Sequence, residues 1–192
     1  MIGNDIVDLN LASIQSNWQR KGFLDKVFTE DEQEFIMSSK IPDKIVWLFW
    51  TMKESAYKVY VQQYQNRFFI PNKIKCQLTS KTEGLVHINN VEYSTKSEFG
   101  TDYIYTTALI DKDKKVLSNL FRITDEPFSF QNKEYYNQLI FRVSKKFNIP
   151  SQEINIKKNE AGVPKLYQND NQLKISISFS HHGKYGAYTF LT

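Results

Sequence analysis

The sequence predicts an α+β fold made of two related halves, each a long helix packed on a small antiparallel sheet. Three observations carry this. An aromatic-rich helical stretch runs without Gly or Pro from 43 to 63. A block of alternating β-formers follows at 68–110. A second amphipathic stretch, 134–147, then precedes further strands. The halves are expected at 1–115 and 116–192, as one compact unit. A length of 192 residues suits one domain or two small halves sharing a core.

The first nine residues, MIGNDIVDL, form a short β-like run around two acids. Gly3-Asn4 suggests a turn, and Asp5 alone reads as a turn or cap residue. Asp5 and Asp8 are three apart. They would share a face in a helical turn and take opposite faces in a strand; a strand break is expected near Asp8. At 27–37, Thr29 is an N-cap candidate with Glu32 three residues on, a capping box. Glu30, Asp31 and Glu32 suit the positive end of a helix and are assigned no catalysis. Ile41-Pro42 is expected to break the chain and Asp43 to cap the next helix.

That helix carries the stretch WLFWTMKESAYK (47–58). Its aromatics recur at helical spacing, so the segment is expected to be mostly buried. Glu54 and Lys58 sit four apart on one face. An ordinary surface ion pair would have that spacing too, but the flanking Trp residues argue against it. A carboxylate in that setting needs a cation, a metal or a proton. If Asp5 lies beside Glu54, the two repel, and a hard divalent cation resolves the conflict. Lys58 then serves as a phosphate contact or a neutraliser of leaving-group charge.

The segments FFIPNKIKCQL, GLVHINNVEY and DYIYTTALI predict about three antiparallel strands. His87, inside one of them, reads as a packing or surface residue. A polar junction is expected at 111–127. Near the C-terminus, Ser180-His181-His182-Gly183-Lys184 follows a β-run. It reads equally as a phosphate-binding segment and as a hairpin turn.

Composition removes several classes. Cys76 is the single cysteine, which excludes an internal disulfide framework and a multi-Cys zinc site. No apolar run approaches the roughly 20 residues of a membrane span, and no signal peptide is seen, so a cytoplasmic location is expected. The net charge of +4 fits an anionic ligand or acidic partner, but no nucleic-acid motif or basic stripe accompanies it.

Four segments together resemble the 4′-phosphopantetheinyl transferases. They are Gly3-Asn4-Asp5-Ile6-Val7-Asp8, Trp50-Thr51-Met52-Lys53-Glu54-Ser55-Ala56-Tyr57-Lys58, Gly162-Val163-Pro164 and Ser178-Phe179-Ser180-His181. FTEDEQEFI also looks like a segment of the family. The stretch 66–130 carries no diagnostic motif. The resemblance implies Mg²⁺ held by Asp5 and Glu54, with Asp8 a further candidate. It implies Lys58 at the coenzyme A pyrophosphate, and Ser180 and His181 at a nucleotide phosphate. Lys53 and Lys165 are further coenzyme A candidates. Glu54 and Lys58 would be the catalytic pair, Glu54 helping to deprotonate the attacking serine. Two departures stand out: Val163 where Lys is frequent, and His182 where a small hydroxyl is usual.

The acid motif precedes the Ser-His motif, as in the small trimeric holo-acyl-carrier-protein synthases, yet the length is that of the two-half type. The chain reads either as a two-half enzyme with the acid half first, like a permuted larger type, or as a small-type chain with an insertion. The expected partners are coenzyme A and an apo acyl or peptidyl carrier protein. The expected state is a monomeric pseudo-dimer, with a trimer as the alternative. Neither nucleic acid nor membrane is expected as a partner. A degenerate homologue that only binds coenzyme A or a carrier protein is the competing function.

Overall fold

The computed structural model describes the backbone of residues 1–123 and 128–192, and the side chains of 1–123 and 135–192. The last four residues of the expected junction, 124–127, lie outside the described residues. The chain opens with strand β1 (Ile2–Asp8) and four helices, α1 (Leu9–Gln15), α2 (Phe23–Val27), α3 (Glu30–Ser38) and α4 (Pro42–Tyr64). Strands β2 (Lys75–Leu78), β3 (Glu83–Ile88), β4 (Val91–Phe99) and β5 (Tyr103–Leu109) follow. The second part comprises β6 (Val116–Arg122), α5 (Phe128–Phe147), β7 (Ile154–Lys158), β8 (Pro164–Gln168), β9 (Asn171–Gln172), β10 (Ile177–His182) and β11 (Tyr185–Leu191).

Both parts begin with a strand that pairs antiparallel with the part's last strand, β1 with β5 and β6 with β11. The first sheet runs β1-β5-β4-β3-β2. The second part departs from the expected single sheet: β10-β11-β6 and β7-β8-β9 are separate. The β7–β8 connection leans onto the first part instead, where Ala161 and Val163 bury against Val61 of α4.

Helix α3 starts as its sequence dictates. Thr29 and Glu32 form a capping box, Glu32 accepting the Thr29 N–H at 2.8 Å. Helix α4 starts differently from expectation. Pro42 opens the helix, because its fixed φ suits the first turn and that turn needs no N–H from it. Asp43 caps nothing; it accepts the Trp18 indole N–H at 2.7 Å. One face of α4 supplies Val46, Leu48, Phe49, Met52, Ala56 and Val59 to the main core, all nearly solvent-free. Cys76 joins that core as a small apolar residue.

The strand β1 runs through Asp8 and ends there, where α1 begins, as expected, but Gly3-Asn4 is strand rather than turn. Its odd residues face α4. A Cβ on Gly3 would stand 2.0 Å from the Ser55 carbonyl oxygen and 3.1 Å from Lys58 Cβ. Only glycine permits this approach, because the obstacle is helix backbone. Gly3→Ala is therefore expected to cost about 1–3 kcal/mol of stability, measured by urea denaturation. A loss under about 0.5 kcal/mol would mean that α4 is free to shift.

The even residues of β1 face the second part. Ile6 packs with Tyr105, Tyr185 and Ala187. The open edge of β1 lies along β10 and its approach, and alternate side chains there take up its polar groups. Ser176 Oγ accepts the Ile2 N–H at 2.9 Å and Ser178 Oγ accepts the Asn4 N–H at 3.1 Å. Ser180 Oγ accepts from Asn4 Nδ2 at 2.8 Å, and His182 Nδ1 accepts the Asp8 N–H at 2.9 Å. The two parts are stitched by short side chains at a spacing of two, which is strand periodicity.

Candidate active site

Strand parity and the Gly3 approach aim Asp5 at α4, where Glu54 and Lys58 stand one turn apart. Lys58 Nζ donates to Asp5 Oδ1 at 3.0 Å and to the Asn4 carbonyl at 2.7 Å. The lysine thus pairs with the strand acid. Asp5 is 14% exposed and Lys58 29%. Burial raises the Asp5 pKa, and the Lys58 charge opposes that rise. Glu54 is pushed up to about 7, first by burial and then by the Asp5 charge, with Lys58 again opposing. Two carboxylates and one ammonium share the place, an excess of one negative charge when both acids are ionised.

That donor set fits a hard divalent cation. Asp5 and Glu54 offer oxygen only, and Mg²⁺ takes one or two protein carboxylates while water and substrate phosphates complete its shell. Among the described residues no group of three or more His, Cys, Asp or Glu side chains forms a metal cluster. A carboxylate pair is what these residues supply.

Beside Lys58 opens a cleft of about 520 Å³ between α4 and the second part. Tyr57, Lys58 and Gln62 line one wall, Ser178, Ser180 and His181 another, and the 158–164 connection a third. The volume lies in the range of sites for small molecules and cofactors. Burial lowers the His181 pKa, and the Lys58 charge adds to that. Both effects favour the neutral imidazole.

The other sequence candidates go elsewhere. Asp8 is on the β1 face turned away from α4, because the strand continues through it. Its Oδ1 caps α1 by accepting from Asn10 N and Leu11 N, and its Oδ2 accepts the Lys184 N–H at 3.2 Å. It joins β1 to the β10–β11 turn and is no partner of the Asp5–Glu54 pair. Lys53 is fully buried and cannot reach a ligand. Its ammonium donates to Glu32 Oε2 at 2.6 Å and to the Pro71 and Ile74 carbonyls at 2.8 and 2.6 Å. Lys165 does not line the cleft; its charge acts on the Met1 amino group. Lys158 lines the cleft instead.

His182 continues the serine row as an acceptor on β1. Ser180-His181-His182 ends β10 and Gly183-Lys184 turns the chain into β11, while Ser180 and His181 line the cleft. Arg67 is the residue that sequence reasoning missed. It lies in the stretch without a motif, yet its Nε donates to the Ala161 carbonyl at 2.5 Å and it lines the cleft. Gly162, at φ +68°, leaves room for it, since a Cβ there would collide with the guanidinium. A basic residue just past the end of α4 was the available signal.

The site thus combines a carboxylate pair, a lysine and a basic, hydroxyl-lined cleft. The family model of the 4′-phosphopantetheinyl transferase superfamily matches residues 1–108. The chain belongs to that superfamily of transferases, and the match spans the strand and helix that carry Asp5, Glu54 and Lys58. Among solved structures, the Thermotoga maritima holo-[acyl-carrier-protein] synthase (AcpS) is similar at 9% identity. That likeness covers 89% of this chain and 83% of that one, with a TM-score of 0.44. No curated protein matches the chain.

Proposed function

We propose that this protein transfers 4′-phosphopantetheine from coenzyme A to a serine of an apo carrier protein, with Mg²⁺, releasing 3′,5′-ADP. The observation that carries this is the meeting of Asp5, Glu54 and Lys58, with Lys58 also lining a cleft of about 520 Å³. The serine oxygen bonds to the phosphorus that bears the pantetheine, and the bond from that phosphorus to the bridging oxygen breaks. The electron pair and the bridging oxygen leave with 3′,5′-ADP. Glu54 takes the serine proton directly or through a water. Lys58 faces the pyrophosphate and offsets charge on the leaving phosphate. Ser180, His181, Arg67 and Lys158 hold the nucleotide. Asp5 and Glu54 would hold Mg²⁺, whose chemistry is to polarise a phosphoryl oxygen.

Carrier proteins are acidic around the acceptor serine, and a net charge of +4 favours that encounter. The cleft is complete within one chain, which fits a monomeric pseudo-dimer. The test is intact-mass analysis of apo carrier proteins after incubation with this protein, coenzyme A and Mg²⁺. A gain of one phosphopantetheine is expected, slowed about 10²–10⁴-fold by Glu54→Gln. Tight coenzyme A binding without transfer to any of several carriers would leave a binding module instead.

A further inference from the structure

The internal relation between the two parts reaches individual side chains. In α4 the buried positions Thr51, Ser55 and Val59 recur every four residues, and in α5 so do Tyr135, Leu139 and Val143. With these aligned, Glu54 falls on Gln138 and Lys58 on Arg142. Central in β1 is Asp5; central in β6 is Asn119. On β6, Leu117 and Phe121 pack with the α5 core, so Asn119, of the same parity, also faces that helix. Asn119 Nδ2 reaches Gln138 Oε1 at 3.5 Å. Each acid of the first site thus has an amide as its counterpart, and the lysine has an arginine.

A groove of about 280 Å³ lies there, lined by Asn119, Arg142, Lys145, Lys146 and Tyr188 among others. The helix residues lining it, Arg142, Lys145 and Lys146, align with Lys58, Val61 and Gln62 of the first cleft. Lysines in a last helical turn also suit the helix dipole. Here they line a concave surface together with Arg142, which hydrogen-bonds the buried Tyr188 phenol. No carboxylate lines the groove among the described residues. Amides bring no charge to hold a divalent cation, and three cations remain to meet an anion.

We propose that the groove between β6 and α5 is a second anion site, which takes a phosphate or pyrophosphate group without a divalent cation. Arg142 makes the directed contacts, since its planar fork matches phosphate oxygens, and Lys145 and Lys146 act as point charges. The proposal rests on the reading of the first cleft for its comparison only.

Calorimetric titration with inorganic pyrophosphate in EDTA tests it, on the wild type, Lys58→Ala and Arg142→Ala. EDTA-resistant binding is expected to survive Lys58→Ala and to weaken at least about tenfold in Arg142→Ala, the loss of one charge-assisted contact. Arg142→Ala also gives up the Tyr188 hydrogen bond, so thermal melting checks that the variant is folded before its binding is read. Absence of binding in EDTA overturns the proposal. So does binding lost with Lys58 and kept without Arg142. The transfer assay on carrier proteins reads the first cleft separately, so failure of one reading leaves the other standing.

Discussion

Replacing Lys53 by methionine destabilises the protein by about 3–5 kcal/mol, the range for breaking a buried ion pair from one side. The ammonium has no solvent exposure and three partners: Glu32 and two backbone carbonyls. Glu32 in turn holds the Thr29 N–H through Oε2 and the Cys76 N–H through Oε1, at 2.8 and 2.7 Å. Without Lys53 a carboxylate that is 2% exposed loses its counter-charge, and two carbonyls lose a donor. Glu32→Gln strands the lysine in the same way. The double variant Lys53→Met, Glu32→Leu costs less than the sum of the two single changes, because neither charge is then left alone. Urea unfolding of all three variants reads the coupling. Additive losses, or a Lys53→Met loss under about 1 kcal/mol, would show that the pair does not hold α3, α4 and the start of β2 together.

Glu54→Gln, which slows transfer, makes the metal-free protein more stable at pH 8. The pKa of Glu54 rises on folding from 4.5 to about 7. Below about pH 4.5 the group is protonated in both states and costs nothing. As pH climbs from about 4.5 to about 7, the unfolded chain gives up this proton while the native state keeps it, so stability falls, and above 7 the full cost of a buried charge beside Asp5 stands. The glutamine escapes this, gaining on the order of 2–3 kcal/mol at pH 8 and little at pH 5. Thermal melts at both pH values check it, with and without Mg²⁺. The cation should raise the wild-type midpoint at pH 8 and leave the variant nearly unchanged. A glutamine variant that melts below the wild type in EDTA at pH 8 would show that the carboxylate is not under strain.

What the sequence revealed was what short range determines. The α3 capping box needs only Thr29 and Glu32, and the core face of α4 follows from spacing within one helix. The acid pair was legible because Asp5 and Glu54 lie in segments with a recognisable pattern. Lys53 and Glu54 are neighbours on that helix, about 100° apart, and nothing local says which of them meets β1. The Gly3 approach decides it. Asp8 depended on whether the strand ran one residue further, since a step of one changes the face. Arg67 reaches its partner across 94 residues, beyond any local signal. The counterpart site in the second part was hidden by its own chemistry, because Asn119 and Gln138 match no acid motif.

The serine row on β10 also bears on solubility. An unpaired strand edge invites another chain to add to it and propagate a ladder. Here the outward donors of β1 at Ile2, Asn4 and Asp8 end on hydroxyls and an imidazole, which accept a hydrogen bond but offer no continuing backbone ladder. The contact is therefore closed to growth. A first half separated from the second would uncover this edge together with Ile6. Separating the halves is therefore expected to expose an edge prone to aggregation.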